Sequence, residues 1–184
     1  WIKKGPLYLP VFWQTFQRSA IGPILPVAWP KTNKKLLIRW TAYHIQRPPL
    51  DLMDLMTAQT AKEADGHLKK MTLPNLSAVL ADTKGNIHFR QFGLVARRLH
   101  GIHGLFNGSD PKQRWIGFLK PHEMPSLRNP KRGYVATANN HPFPDTYPYF
   151  LGHAFDVGLR AKRIEELLEQ KQHTLASIKQ MQLD

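Results

Sequence analysis

Cysteine is absent from all 184 residues, which excludes disulfide scaffolds, thiolate zinc sites, iron–sulfur clusters and a cysteine nucleophile within this stretch. Acidic residues are scarce: 13 Asp and Glu face 26 Lys and Arg, a formal net charge of +13, so the surface favours anionic partners. Long apolar runs are missing too. The run around Ile21 to Trp29 is short and broken by Pro, well below the roughly 20 residues needed to cross a bilayer, so neither a span nor a membrane partner is expected. There is no initiator Met and no leader pattern: the chain opens Trp1-Ile2-Lys3-Lys4-Gly5-Pro6, as a fragment or a processed product would.

What is present argues for a folded chain. Apolar residues make up 42% and aromatics 10%, with five Trp, too many large apolar side chains for a disordered polycation. Residues 1–35 hold Pro6, Pro10, Pro23, Pro26 and Pro30 and read as irregular, strand-poor packing. Leu36 to Ala42 reads as a strand. Over 49–71, Leu50, Met53, Leu55, Met56, Ala61, Ala64 and Leu68 keep helical spacing, one amphipathic helix or two short ones. Leu76–Asp82 and Asn86–Gly93 flank a turn ending in Gly85, so 76–93 reads as a hairpin. Tyr134 to Ala138 reads as a buried strand within 133–140 that ends at Asn139-Asn140. Residues 155–184 carry Ile164, Leu167, Leu168, Leu175, Ile178 and Met181 at helical intervals, two helices parted near His173-Thr174.

Most candidate chemistry has an ordinary explanation. His100 and His103 are the closest of nine His, but a zinc site needs three or four ligands and their neighbours are Gly and apolar residues; no metal is expected there. The basic pairs, among them Lys69-Lys70, Arg97-Arg98 and Lys131-Arg132, are dispersed and belong to no nucleic-acid module, so a nucleic-acid partner is not expected. Glu165, Glu166 and Glu169 read as the exposed side of a helix, with Lys162 and Arg163 as ion-pair partners, and Asp156 and Asp184 read as surface charges. The segment from Asn129 to Pro142 differs in kind. A strand delivering two consecutive amides to its mouth presents a neutral Asn Nδ2 donor of the type an oxyanion hole requires; the same local sequence fits an Asx-type turn after a strand.

The order and spacing of several segments resemble the β-subunit of penicillin acylases, N-terminal-nucleophile amidohydrolases that also include acyl-homoserine-lactone acylases. Ala20-Ile21-Gly22-Pro23-Ile24-Leu25 resembles the family's H-G-P-[IV], and Leu37-Ile38-Arg39-Trp40-Thr41-Ala42 its L-R-W-T. Ala81-Asp82-Thr83-Lys84-Gly85-Asn86-Ile87 matches A-D-x-x-G-N-I, and Arg97 the Arg of P-x-R. Trp115-Ile116-Gly117-Phe118 resembles W-x-G-x, and Glu123-Met124-Pro125 resembles E-x-P. Asn129-Pro130 through Asn139-Asn140 matches N-P-x-x-G-[YF]-[IV]-x-[TS]-A-N-N, while Tyr147-Pro148 and Arg160 to Ile164 match Y-P and R-x-x-R-I.

The resemblance implies an α+β fold: part of a four-layer αββα sandwich, with an inserted helical segment and C-terminal helices. It implies hydrolysis of linear amides such as penicillin, acyl-homoserine lactones or related N-acyl substrates, through an acyl-enzyme on an N-terminal Ser freed by autoproteolysis. By motif position Asn139 is the oxyanion donor and Arg160 its support, although local charge also fits Arg160 as a helix-surface cation paired with Glu165 or Asp156. The sequence departs from the pattern in three places: residue 1 is Trp, Ile21 stands where His is expected, and Pro74-Asn75-Leu76-Ser77 replaces P-x-Q-N. Residues 1–184 therefore read as one internal fragment of a β-subunit, inactive alone, whose partners are the α-subunit, the rest of the β-subunit and a small N-acyl substrate. No cofactor is expected; the calcium common in the family finds only Asp145 between Asn140 and Asp156. The family also implies the periplasm. The competing reading is a non-catalytic remnant that binds acidic partners through its basic surface.

Overall fold

The computed structural model describes residues 2–4, 7–9, 15–28, 34–45, 51–99, 104–169 and 172–184, with side chains omitted for 2–4, 7–9, 27, 28 and 51. Two compact units divide the chain, Trp1–His44 and Ile45–Asp184. In the first, β1 (Ile2–Lys4) pairs antiparallel with β2 (Leu7–Leu9), and β3 (Ile24–Ala28) with β4 (Lys35–Leu37). The Pro-rich opening thus holds three short strands where few were expected. Pro26 is tolerated because β3 has a single partner strand among the described residues and its register shifts between Ile24 and Ala28. The strand expected over Leu36–Ala42 stops at Leu37, and Thr41–His44 turns into a single 3-10 helix. There the Tyr43 amide bonds the Trp40 carbonyl at 3.1 Å and the two rings meet edge to face, satisfying locally the groups a ladder would have used. Gly22 is required by contact: a Cβ there would collide with the Ile38 carbonyl oxygen.

In the second unit, helices α1 (Asp51–Thr57) and α2 (Ala61–Leu68) occupy the 49–71 stretch. Strands β5 (Leu76–Ala81) and β6 (Ile87–Phe92) pair in unbroken register from Leu76↔Phe92 to Ala81↔Ile87, and β9 (Ser126–Arg128) adds to the other edge of β6. Gly85 closes the turn at φ +82°. The Asp82 carboxylate accepts the Lys84 and Asn86 amides at 3.0 Å each and reaches the Ala61 amide at 3.2 Å, so one side chain joins the turn to the start of α2. Leu68 and Met71 pack on Phe92, with Leu55, Ala78 and Leu80 around them, which seats the helices on one face of the sheet.

Strands β7 (Ala96–Arg98) and β8 (Trp115–Phe118) form a separate antiparallel pair beside a small core of Val95, Leu119 and Met124. Two helices end the chain, α3 (Leu159–Leu168) and α4 (Leu175–Met181), the latter opened by a reciprocal Thr174–Ser177 capping box. Among the described residues, no helix is long and apolar enough to cross a membrane.

Alternation along β6 puts His88, Arg90 and Phe92 on the helix-facing side, where α2 presents Asp65. Asp65 is 1% and Arg90 4% exposed. Arg90 Nε donates to Asp65 Oδ1, Lys69 Nζ lies 2.7 Å from Oδ2, and Arg90 Nη1 donates to the Pro121 carbonyl. Burial opposes ionisation of Asp65, yet the bonds from Arg90 and Lys69 outweigh it and hold the carboxyl below the usual carboxylate range. His88, 3.6 Å from Asp65, is pushed down first by burial and then by Arg128, Arg90 and Lys69, against the pull of Asp65.

Removing one partner of such a pair strands a buried charge, so Asp65→Asn should lower stability by about 3–5 kcal/mol in denaturant titration. Both shifts run downward. The stability from neutral His88 is therefore full above its unfolded pKa of about 6.5 and is lost as pH falls from there to its lower folded value. That from ionised Asp65 is lost only at lower pH, as its carboxyl protonates. Denaturation midpoints should decline in that order, and His88→Gln should remove the first limb of the decline.

Candidate active site

The segment leading to Asn139 is anchored at Asn129. Its φ of +43° is one that Asn tolerates, its Oδ1 accepts the Ile87 amide at 2.9 Å, and its Nδ2 donates to Asn86 Oδ1 at 3.0 Å. Arg132 lies 4.5 Å over the Tyr134 ring and donates to Glu165 on α3 at 2.9 Å. The strand expected over 133–140 does not form: residues 134–137 have no ladder partner among the described residues, and Asn140 makes only an isolated bridge to Asp156. Side chains do the work of a ladder there. The Ala138 amide donates to Asn140 Oδ1 at 3.0 Å, and the Ala138 carbonyl accepts from Arg160 Nη2 at 2.9 Å. Apolar, β-branched composition suits a strand, but pairing needs a neighbour and none of the described strands lies alongside.

Asn139 sits at φ +62°, exposed, just after buried Ala138. Arg160, in the first turn of α3, points one nitrogen at three acceptors: Nη2 is 2.9 Å from the Ala138 carbonyl, 3.1 Å from Asn139 Oδ1 and 3.2 Å from Asp156 Oδ2. Guanidinium has no acceptor, so this contact identifies the oxygen end of the Asn139 amide and leaves Nδ2 as the end free of Arg160. Asp156 completes the group. Its amide donates to the Asn139 carbonyl at 2.8 Å and its Oδ1 accepts the Gly158 amide at 2.9 Å; that bond, then Arg160, holds its carboxyl below the usual range. Asn139 and Arg160 are thus brought together, and Arg160 pairs with Asp156 rather than with Glu165, whose partner is Arg132. Glu166 pairs with Arg163 at 3.5 Å.

Beyond Asn140, His141 packs on Phe143 and Phe155, and a cavity of about 170 Å³ is lined by His141, Phe143, Asp145, Tyr147, Tyr149 and Phe150 among others. Its wall is set by Glu123. Glu123 Oε1 accepts from the Tyr149 hydroxyl at 2.7 Å and from Arg97 at 3.2 Å, Oε2 accepts the Lys120 amide, and its carbonyl accepts the Tyr147 hydroxyl at 2.6 Å. Three dispersed motifs, Arg97, Glu123-Met124-Pro125 and Tyr147-Pro148, converge on this hub. Sequence reasoning gave the hub no role, because nothing in their spacing shows that they meet.

His100 and His103 lie outside the described residues. Among the described residues no three His, Asp or Glu gather as metal ligands. Asp156 is held by Arg160 and the Gly158 amide. Also missed were buried Asp65, Arg90 and His88, whose only sequence signal was charge within an apolar pattern.

Helices seated on antiparallel strands give the chain a mixed helix-and-sheet fold. The thermostable penicillin G acylase from Alcaligenes faecalis shares this fold with a TM-score of 0.72 over 91% of the chain and 30% of its own, at 22% identity. The family model for penicillin amidase matches residues 10–184, and the chain belongs to that family. It is 31% identical over 133 residues to the acyl-homoserine lactone acylase QuiP of Pseudomonas syringae pv. tomato and 31% identical over 134 residues to that of Pseudomonas aeruginosa. Each match covers 71% of this chain and 16% of the relative, so the matched stretch is a small part of those proteins.

The Glu123 hub is open to a direct check. The hydrogen bond to Glu123 first, then burial, raises the Tyr149 phenol, whereas burial is the main cause that pushes Tyr147 up to about 12. Glu123→Gln should move the Tyr149 phenol back toward about 10 and shift Tyr147 less, followed by tyrosinate absorbance with Tyr147→Phe and Tyr149→Phe to assign the signals.

Proposed function

We propose that this chain forms part of an amidohydrolase that cleaves linear N-acyl amides through an acyl-enzyme, with Asn139 as oxyanion donor. The observation that carries the reading is the Arg160 contact to Asn139 Oδ1 at 3.1 Å. With its oxygen held by a cation, the amide offers Nδ2–H to a developing negative charge and cannot present its own oxygen there. In this reading a hydroxyl from a residue not among these 184 attacks the amide carbonyl. The carbonyl electrons move to oxygen, and Nδ2–H donates a hydrogen bond to the oxyanion so formed; collapse breaks the C–N bond, the amine leaves carrying the proton that the hydroxyl gave up, and the ester left behind is hydrolysed by water. The substrate class follows the relatives' names, with acyl-homoserine lactones favoured over penicillins because the chain is 31% identical to the lactone acylase of Pseudomonas syringae pv. tomato and 22% identical to the penicillin G acylase.

A polyanion-binding role gains no support from the site. Arg90, Arg97, Arg132, Arg160 and Arg163 are each committed to a carboxylate of this chain.

Asn139→Ala is a poor test, because Ala at φ +62° adds backbone strain of about 1 kcal/mol to the lost donor. Asp tolerates that backbone, keeps an acceptor for Arg160 and has no hydrogen to donate when ionised. In the full-length protein, Asn139→Asp should lower kcat for N-acyl-homoserine lactone hydrolysis by about 10²–10³-fold with KM little changed, read as released fatty acid. Release of no acid from any N-acyl amide by the unaltered full-length protein, or full activity in Asn139→Asp, overturns the reading. The 184 residues by themselves are expected to show no turnover.

A further inference from the structure

We infer that Asp156 is a positioning residue of this site, the side chain that fixes which way the Asn139 amide faces; the inference rests on the hydrolase reading above. Asp156 reaches Asn139 by two independent routes. Its amide holds the Asn139 carbonyl at 2.8 Å and so fixes the left-handed backbone that aims the side chain. Its Oδ2, 3.2 Å from Arg160 Nη2, helps hold the nitrogen that in turn holds Asn139 Oδ1. The other carboxylate oxygen is bonded to the Gly158 amide at the N-cap of α3, so the carboxylate is fixed to the helix that carries Arg160.

The burial of these groups decides what the contact is for. The Arg160 side chain is 61% exposed, and an ion pair so open to water contributes little to stability. A long exposed arginine with one acceptor samples many rotamers. Here two hydrogens on one nitrogen serve three acceptors, from Ala138, Asn139 and Asp156, which defines both the position and the plane of the guanidinium. Asp156 supplies the only charged acceptor of the three, so its bond adds a Coulombic attraction to the guanidinium that the two neutral oxygens lack. Without it the guanidinium is held by two neutral oxygens, and the Asn139 amide is freer to turn Nδ2 away from the reacting carbonyl.

The test uses Asp156→Asn in the full-length protein, which keeps the backbone bond to Asn139 and an oxygen for Gly158 while removing the charge. The expected result is a fall in kcat of about tenfold with KM within about twofold, since the amide is needed only in the transition state. Melting temperature should be unchanged. Glu165→Gln, which breaks another exposed ion pair on the same helix, should leave turnover as it was. Asp156→Asn combined with Asn139→Asp should be no slower than Asn139→Asp alone, because one residue acts through the other. Additive losses, a loss shared by Glu165→Gln, or an unchanged kcat would overturn the assignment. A crystal structure of Asp156→Asn supplies a readout independent of turnover: the Asn139 and Arg160 side chains should occupy more than one orientation. If the unaltered protein hydrolyses nothing, the hydrolase reading falls and this structure decides the positioning role, which a single retained orientation refutes.

Discussion

The carboxylate of Asp82 is the point from which helix α2 and the hairpin of the second unit are placed. It accepts from its own turn and from the first residue of α2, so helix and hairpin are placed by one group. Asn86 Nδ2 donates to the Asp82 carboxylate, which leaves Asn86 Oδ1 to accept from Asn129 Nδ2, where the chain leaves β9 for the segment that ends at Asn139. Backbone donors at a turn and a helix start have no regular partner and must be satisfied by something. Asp82 does this for both and thereby sets the register of the hairpin. The Asn86 amide and Gly85 φ hold its carboxyl low and its turn tight.

Charge is used in two ways. At Asp65 and Arg90 it is buried, and the cost of desolvation is met only because every close donor converges on one carboxylate; removing any member leaves the rest exposed to that cost. At Asn139 it is exposed, so the pairing of Arg160 with Asp156 adds little stability and serves geometry. The Glu123 hub lies between these cases, with a half-exposed Arg97 and a mostly buried carboxylate that ties three loops together.

Much of the local structure was legible in the residues. Two runs flanking a Gly-closed turn mark the 76–93 hairpin, and helical spacing marks α1, α2, α3 and α4, with a break near His173-Thr174. Asn139 was singled out by the paired amides after an apolar run and by its place in a family motif, and Arg160 by its motif alone; that the two side chains meet was not legible. The strand read over 134–138 was wrong for a definable reason. Strand propensity reports a fit to a pleated surface, and the surface must be supplied by another segment. The strand read over Leu36–Ala42 was cut short because a local turn satisfied the same backbone groups.

Sequence by itself determined the class of the chain: no thiol chemistry, a basic folded domain with helices over antiparallel strands, and membership in an amidohydrolase family read from ordered motifs. Tertiary structure decided which of those motifs touch. Asp156 lies 17 residues from Asn139, Glu123 lies 26 from both Arg97 and Tyr149, and Asp65 lies 25 from Arg90. Contacts at such separations depend on how whole elements pack, which is set by burial and hydrogen-bond satisfaction summed over many residues and not by any short pattern.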